Sequence, residues 1–313
     1  MDECIIAYTS LAKDVFKIDQ VLGGRIPIGD DQSRFDYNVL ETAIKGVVAS
    51  RLGDENAIME EVSVSRCPTF VVATPGLHAD GPPTLLRTYG CRGHNAERCT
   101  IWKAARATSA APTFFKPAVI EIPPPGRIFV DGGLGHNNPS ELALEEVQKI
   151  WPSVQRCCLV SIGTGRQKSV KFIENSVVTT TEEPQGILSL LWGAIPGATT
   201  VSRSVSGLAT LKKIGEACVA LTTNSEMVHQ RVFRRSASEN FPYYRFNVER
   251  GMDDIGLQEW EKTVEMGDHT SRYMAEGEGE LKRDNCVQDL MAASALDGGQ
   301  SQQGSAFVPR LRR

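Results

Sequence analysis

The sequence predicts an α/β protein, and three observations carry that reading. Short apolar runs of strand character near residues 67, 84, 127 and 156 alternate with helical stretches near 37, 100 and 139. One run, Ile128-Phe129-Val130-Asp131-Gly132-Gly133, ends in a carboxylate and a glycine pair, which is how a buried strand turns out of a sheet. Asn138-Pro139-Ser140 then opens a helix, with Asn138 as N-cap, Pro139 in the first turn, and Leu142, Ala143, Val147 and Ile150 at helical spacing. Alternation of this kind predicts a largely parallel central sheet. An acid at the C-terminal end of such a strand stands where α/β active sites collect. An Asp bonding its own turn gives the same local pattern, and the residues alone leave both readings open.

The remaining elements follow in order. Cys4, Ile5, Tyr8, Leu11, Ala12, Val15 and Phe16 recur at helical spacing from the third residue, so the strand that normally opens an α/β enzyme is missing. Gly23 to Asp31 reads as a polar loop. Tyr37 to Leu52 reads as a helix stopped by Gly53. Cys67 to Thr74 and Thr84 to Tyr89 read as strands, and Cys99 to Ala111 as a helix rich in alanine, close-packed and stopped by Pro112. Pro112 to Pro125 reads as a loop, and Arg156 to Ile162 as a strand closing on Gly163-Thr164-Gly165. That turn is no phosphate loop, because Gln167 stands where a Walker motif needs Gly before Lys168. Ile187 to Ile195 is apolar and too short to span a bilayer; a core element is the expectation, contact with a membrane surface the rival. Leu208 to Leu221 marks a long helix, continuing through Met227 and Val228. Tyr243 to Val248 marks a strand, and Leu257, Trp260 and Val264 to Tyr273 a last helix. The expected organisation is one domain over 1–280 and a disordered tail over 281–313, whose end is Gly, Gln and Ser.

Composition narrows the function. The chain has 313 residues and a formal net charge of −4, against the basic footprint of a nucleic-acid protein. No apolar run approaches the roughly 20 residues of a membrane-spanning helix. Met1-Asp2-Glu3-Cys4 lacks the basic, apolar start of a leader, which suits a cytoplasmic protein, peripheral on membranes at most. Eight cysteines without a Cys-x-x-Cys pair suggest reduced, mostly buried thiols. Cys91, His94 and Cys99 have ligand-like spacing, but a structural zinc wants a fourth ligand, so no metal is expected.

Four stretches together resemble the patatin-like phospholipase family, in its eukaryotic calcium-independent branch of fungal type. They are Ala105 to Phe115, Val130 to Gly133 with Asn137-Asn138-Pro139, Val160 to Gly165, and Tyr243 to Val248 with the helix at Leu257 and Trp260. The resemblance implies a three-layer α/β fold and hydrolysis of lipid acyl esters by a Ser-Asp dyad. It implies no cofactor and no calcium. In that family the Ser sits in a Gly-x-Ser-x-Gly elbow and a Gly-rich segment supplies the oxyanion donors. Only the acid transfers: Asp131 as general base, with Gly132 and Gly133 as its motif partners. Gly-x-Ser-x-Gly occurs nowhere in the sequence. Ser206 has Ser204 two positions before it, and Ser301 lacks the second Gly. The chain is therefore expected to begin downstream of its elbow and to be inactive as it stands. The alternative is a pseudoenzyme that binds lipid or a partner without cleaving it. Ser109 lies in a close-packed run without an elbow's glycines, and His136 reads as an exposed loop residue, so neither is expected to serve.

Overall fold

The computed structural model describes residues 2–17, 33, 35–60, 67–77, 81–91, 99–112, 114–121, 126–154, 157–165, 225–252, 255–256 and 259–297. The expectations for Gly23 to Asp31, His94, Ile187 to Ile195, Leu208 to Leu221 and Leu257 lie outside the described residues.

Helices α1 (Asp2–Val15) and α2 (Tyr37–Leu52) pack on each other at the N-terminal end. The Asp36 side chain caps α2 by accepting from the Asn38 N–H at 2.8 Å, and Gly53 ends it in the left-handed region, φ 79°. Val15, Phe35, Leu40 and Phe115 form the buried cluster between them, with Phe16 edge-on to Phe35 at 5.0 Å.

Four strands form the main sheet: β1 (Phe70–Pro75), β2 (Thr84–Arg87), β3 (Ala118–Ile120) and β4 (Arg127–Asp131), in the order β2-β1-β4-β3. Helix α3 (Ile101–Thr108) covers it with Ala104 and Ala107, which meet Ala73, Leu86, Ile120 and Phe129 in the main core. Small side chains let the helix backbone come close to the strands, as the alanine content predicts. The Thr108 hydroxyl completes that approach by donating to the Val72 carbonyl at 2.6 Å.

Beyond β4 come a kinked turn of helix, α4 (Gly133–His136), and α5 (Ser140–Ile150). A parallel pair follows, β5 (Leu159–Ile162) with β6 (Tyr243–Phe246). Helix α6, described over 225–239, packs Val228 and Val232 against Leu144 of α5. Trp260–Lys262 forms a 3₁₀ turn before α7 (Thr263–Ala275) and α8 (Gly277–Asp297).

The α/β character is as expected, but strand direction is not. All three pairings in the four-stranded sheet are antiparallel, and among the described residues only β5 and β6 run parallel. Among the described residues no helix lies between β1 and β2 or between β3 and β4, as fits antiparallel pairing without a helical crossover. Strand β3 lies inside the expected Pro112 to Pro125 loop. Its alternation, Ala118 and Ile120 buried around exposed Val119, spans three residues and is too short to register in the sequence. The tail boundary expected at 281 falls within α8. That helix docks on β6, where the Tyr244 hydroxyl donates to Asp289 at 2.5 Å, and its Cys286 is buried. The described cysteines are free thiols, but only Cys99 and Cys286 are buried, while Cys4 and Cys67 are exposed.

Candidate active site around Asp131

Asp131 is the last residue of β4, paired with Ala73 of β1 across the sheet. Its N–H donates to the Ala110 carbonyl at 3.0 Å, which ties the strand end to the end of α3. The chain must turn at once, and Gly132 is dictated by the neighbouring strand. A Cβ there would lie 2.3 Å from the Val72 carbonyl oxygen, so no larger residue fits without moving β1 or β4. The Gly133 N–H then donates to Asp131 Oδ1 at 2.6 Å. Gly135, at φ 96°, kinks α4, and the Thr74 hydroxyl holds the Leu134 carbonyl at 3.2 Å.

The carboxylate opens on a cavity of about 320 Å³ lined by Phe70, Val71, Val72, Thr108, Asp131, Gly132, Gly133, His136, Asn137 and Pro139. One wall is the apolar edge of β1; the opposite wall is the segment from His136 to Pro139. Burial raises the Asp131 carboxyl above the ordinary carboxylate value, and the Gly133 amide only partly offsets this. Among the described residues Oδ2 takes no hydrogen bond. One oxygen is thus fixed by the backbone, and burial raises the proton affinity of the carboxyl.

His136 differs from its expected place in an exposed loop. It is half-buried on the cavity wall, and burial lowers its pKa while the charge of Glu141 opposes the shift. Burial thereby favours its neutral form. Ser109 caps α3 and is absent from the lining; the cavity's hydroxyl is that of Thr108, committed to Val72. The N-cap also shifts. The helix begins at Ser140 and Asn138 lies outside it, where Asn138 Oδ1 accepts from the Ser140 N–H at 3.2 Å. The Gly163-Thr164-Gly165 turn is closed by Asn247, which accepts from the Gly165 N–H at 2.9 Å, so it presents no phosphate cradle. Among the described residues no group of three or more His, Cys, Asp or Glu side chains is arranged to hold a metal ion.

Helix α5 is anchored from behind by a feature invisible in the sequence. Glu146 has a side chain only 3% exposed. It accepts from Arg87 of β2 through Nε at 2.5 Å and Nη2 at 2.9 Å, from the Tyr89 hydroxyl at 2.8 Å, and from Lys149 at 2.9 Å. Burial alone would raise its pKa, but these donors win and hold it at about 2.

The fold and this strand-end acid define a class: an α/β protein with a cavity built around a half-buried Asp-Gly-Gly turn. Residues 27–144, which include Asp131 to Gly133, match the family model for patatin-like phospholipases. The chain is 30% identical over 217 residues to calcium-independent phospholipase A2-gamma of Mus musculus, covering 64% of this chain and 27% of the relative. It is 31% identical over 188 residues to calcium-independent phospholipase A2-gamma of Homo sapiens, covering 58% and 22%. To patatin-like phospholipase 1 of Plasmodium falciparum (isolate NF54) it is 28% identical over 220 residues, covering 66% and 29%. The family-model match and these relatives support a patatin-like phospholipase segment within the chain. It spans about a quarter of the length of the curated relatives it matches.

Proposed function

We propose that this chain carries the acid half of a lipid acyl hydrolase, with Asp131 as general base and a phospholipid or neutral glycerolipid ester as substrate. The observation that carries the reading is the Asp131 carboxyl, half-buried, with one oxygen held by the Gly133 amide and the other left to the cavity. In acyl transfer the base takes the proton from a serine hydroxyl as the oxygen attacks the ester carbonyl, and returns it to the leaving alcohol. A carboxylate whose pKa burial has raised suits both steps. No Gly-x-Ser-x-Gly occurs in the sequence, and the only hydroxyl among the lining residues, that of Thr108, is bonded to the backbone. The chain by itself is therefore inactive in this reading. The substrate would be met at a membrane surface. Among the described residues no helix is long and apolar enough to cross a membrane.

The test compares fatty-acid release from phosphatidylcholine vesicles by two proteins: this chain, and the chain extended by the in-frame sequence upstream of Met1 if that carries a serine elbow. The expected result is no release by the first and release by the second that Asp131→Asn abolishes. Full release by the extended Asp131→Asn variant would sink the assignment. The absence of a serine from the described lining residues supports a second reading, binding without cleavage. Co-sedimentation of the chain with vesicles tests it, and absence from the pellet at every lipid composition rejects it.

A further inference from the structure

The far wall of the Asp131 cavity, His136 to Pro139, is backed by β5 and β6 through side-chain hydrogen bonds. What holds it is a closed ring of hydrogen bonds centred on Asn138, which is 4% exposed. Arg245 of β6 donates from Nη1 to Ser161 Oγ of β5 at 2.7 Å, and from Nη2 to Ser225 Oγ of α6 at 3.1 Å. Ser140 Oγ lies 3.0 Å from Ser161 Oγ and 2.6 Å from Asn138 Oδ1. Asn138 Oδ1 can only accept, so the Ser140 proton goes to it and the Ser161 hydroxyl donates to Ser140. Asn138 Nδ2 closes the circle by donating to the Ser225 carbonyl at 3.1 Å. Every donor in the sequence Arg245, Ser161, Ser140, Asn138 then points the same way, an order in which each bond polarises the next.

We propose that Arg245 is a positioning residue for the Asp131 cavity, because its two-pronged guanidinium closes the ring that fixes the wall carried by Asn137 and Pro139. The inference rests on the reading of Asp131 as the base. Among the described residues Arg245 has no carboxylate partner, so its charge is spent on hydroxyls rather than on an ion pair. A Lys could reach one of the two hydroxyls but not span both, since it lacks the planar fork. Tyr243 and His229 are the titratable groups that face the ring. The Tyr243 hydroxyl sits 3.0 Å from His229 Nδ1. On the cavity side His136 is the titratable group that shares the lining with Asp131.

The experiment follows the titration of Asp131 by NMR in the chain itself, read at the Gly133 amide, whose shift moves as its acceptor carboxylate is protonated. It needs no catalytic activity, so failure of the hydrolase reading and failure of this one are separable. With Arg245→Met the wall loosens, water reaches the carboxylate, and the Asp131 midpoint falls towards the ordinary carboxylate range. Arg245→Lys gives a smaller fall. Ser161→Ala, which removes only a hydroxyl, keeps the test available if Arg245→Met does not fold, and it lowers the midpoint in the same direction. Val48→Ala, in the α2 core away from the ring, matches the loss of stability without touching the wall and leaves the midpoint in place. If Arg245→Met and Ser161→Ala lower the melting temperature but leave the midpoint where Val48→Ala does, the ring is structural only and the proposal is overturned.

Discussion

Replacing Glu146 by Gln should destabilise the protein by about 3 kcal/mol at pH 7 and by little at pH 2. Two independent routes give that size. Glu146 has an ordinary pKa of 4.5 and a folded value of about 2; at about 1.4 kcal/mol per pH unit the drop corresponds to about 3–4 kcal/mol. Removing one member of a buried ion pair costs about 3–5 kcal/mol, because the partner is left buried without its counter-charge. Here that partner is Arg87, with a side chain 11% exposed. The sign follows from the direction of the shift. A depressed carboxyl stabilises the fold above its unfolded pKa, and the contribution disappears as pH falls from about 5 through about 2. Urea denaturation of the wild type and Glu146→Gln at pH 7, pH 4 and pH 2.5 measures it. The two curves should converge as the wild type loses its advantage. A difference below about 1 kcal/mol at pH 7, the size of an exposed pair, would refute the claim that this network anchors α5. A difference that did not shrink with acid would refute the electrostatic origin.

Asp131→Asn should raise stability at neutral pH. The folded state disfavours the charged carboxyl, so its cost is present above the unfolded pKa, and Asn removes the charge while keeping an oxygen for the Gly133 amide. Thermal melts at pH 7 and pH 3 check it, and the gain should vanish at the lower pH. Gly132→Ala should cost about 3 kcal/mol, the upper end for overpacking, because its Cβ would meet the Val72 backbone at 2.3 Å rather than a side chain that can swing away. Chemical denaturation measures that loss, and a variant as stable as wild type would mean that β1 and β4 separate easily at the site.

Much of the site was legible because it is local. A strand running into Asp131-Gly132-Gly133, and a helix opening after Asn138-Pro139, are written in contiguous residues, and the structure puts them within a residue or two of where periodicity does. The alanines at 104 and 107 announced a helix pressed onto a sheet for the same reason: side-chain size acts at the position that bears it. Strand direction was not legible, since it depends on whether the connecting segment crosses the sheet or turns back. The spacing of β1 and β2 admits both, and β3 is too short to signal a hairpin with β4.

The sequence by itself therefore determined the α/β class, the strand-end acid and the resemblance that the family-model match over residues 27–144 supports. Tertiary structure alone decided what surrounds that acid. His136 became a half-buried wall residue, Glu146 a buried anion among three donors, and Arg245 the clasp of a ring joining residues 138, 140, 161 and 225. Glu146 and Arg245 depend on partners far off in the sequence, as Arg87 and Glu146 are 59 apart and Ser161 and Arg245 are 84 apart. Hydropathy patterns report which face of an element is apolar. They carry no information on which distant donor a buried polar group will find, and only closure of the chain settles that.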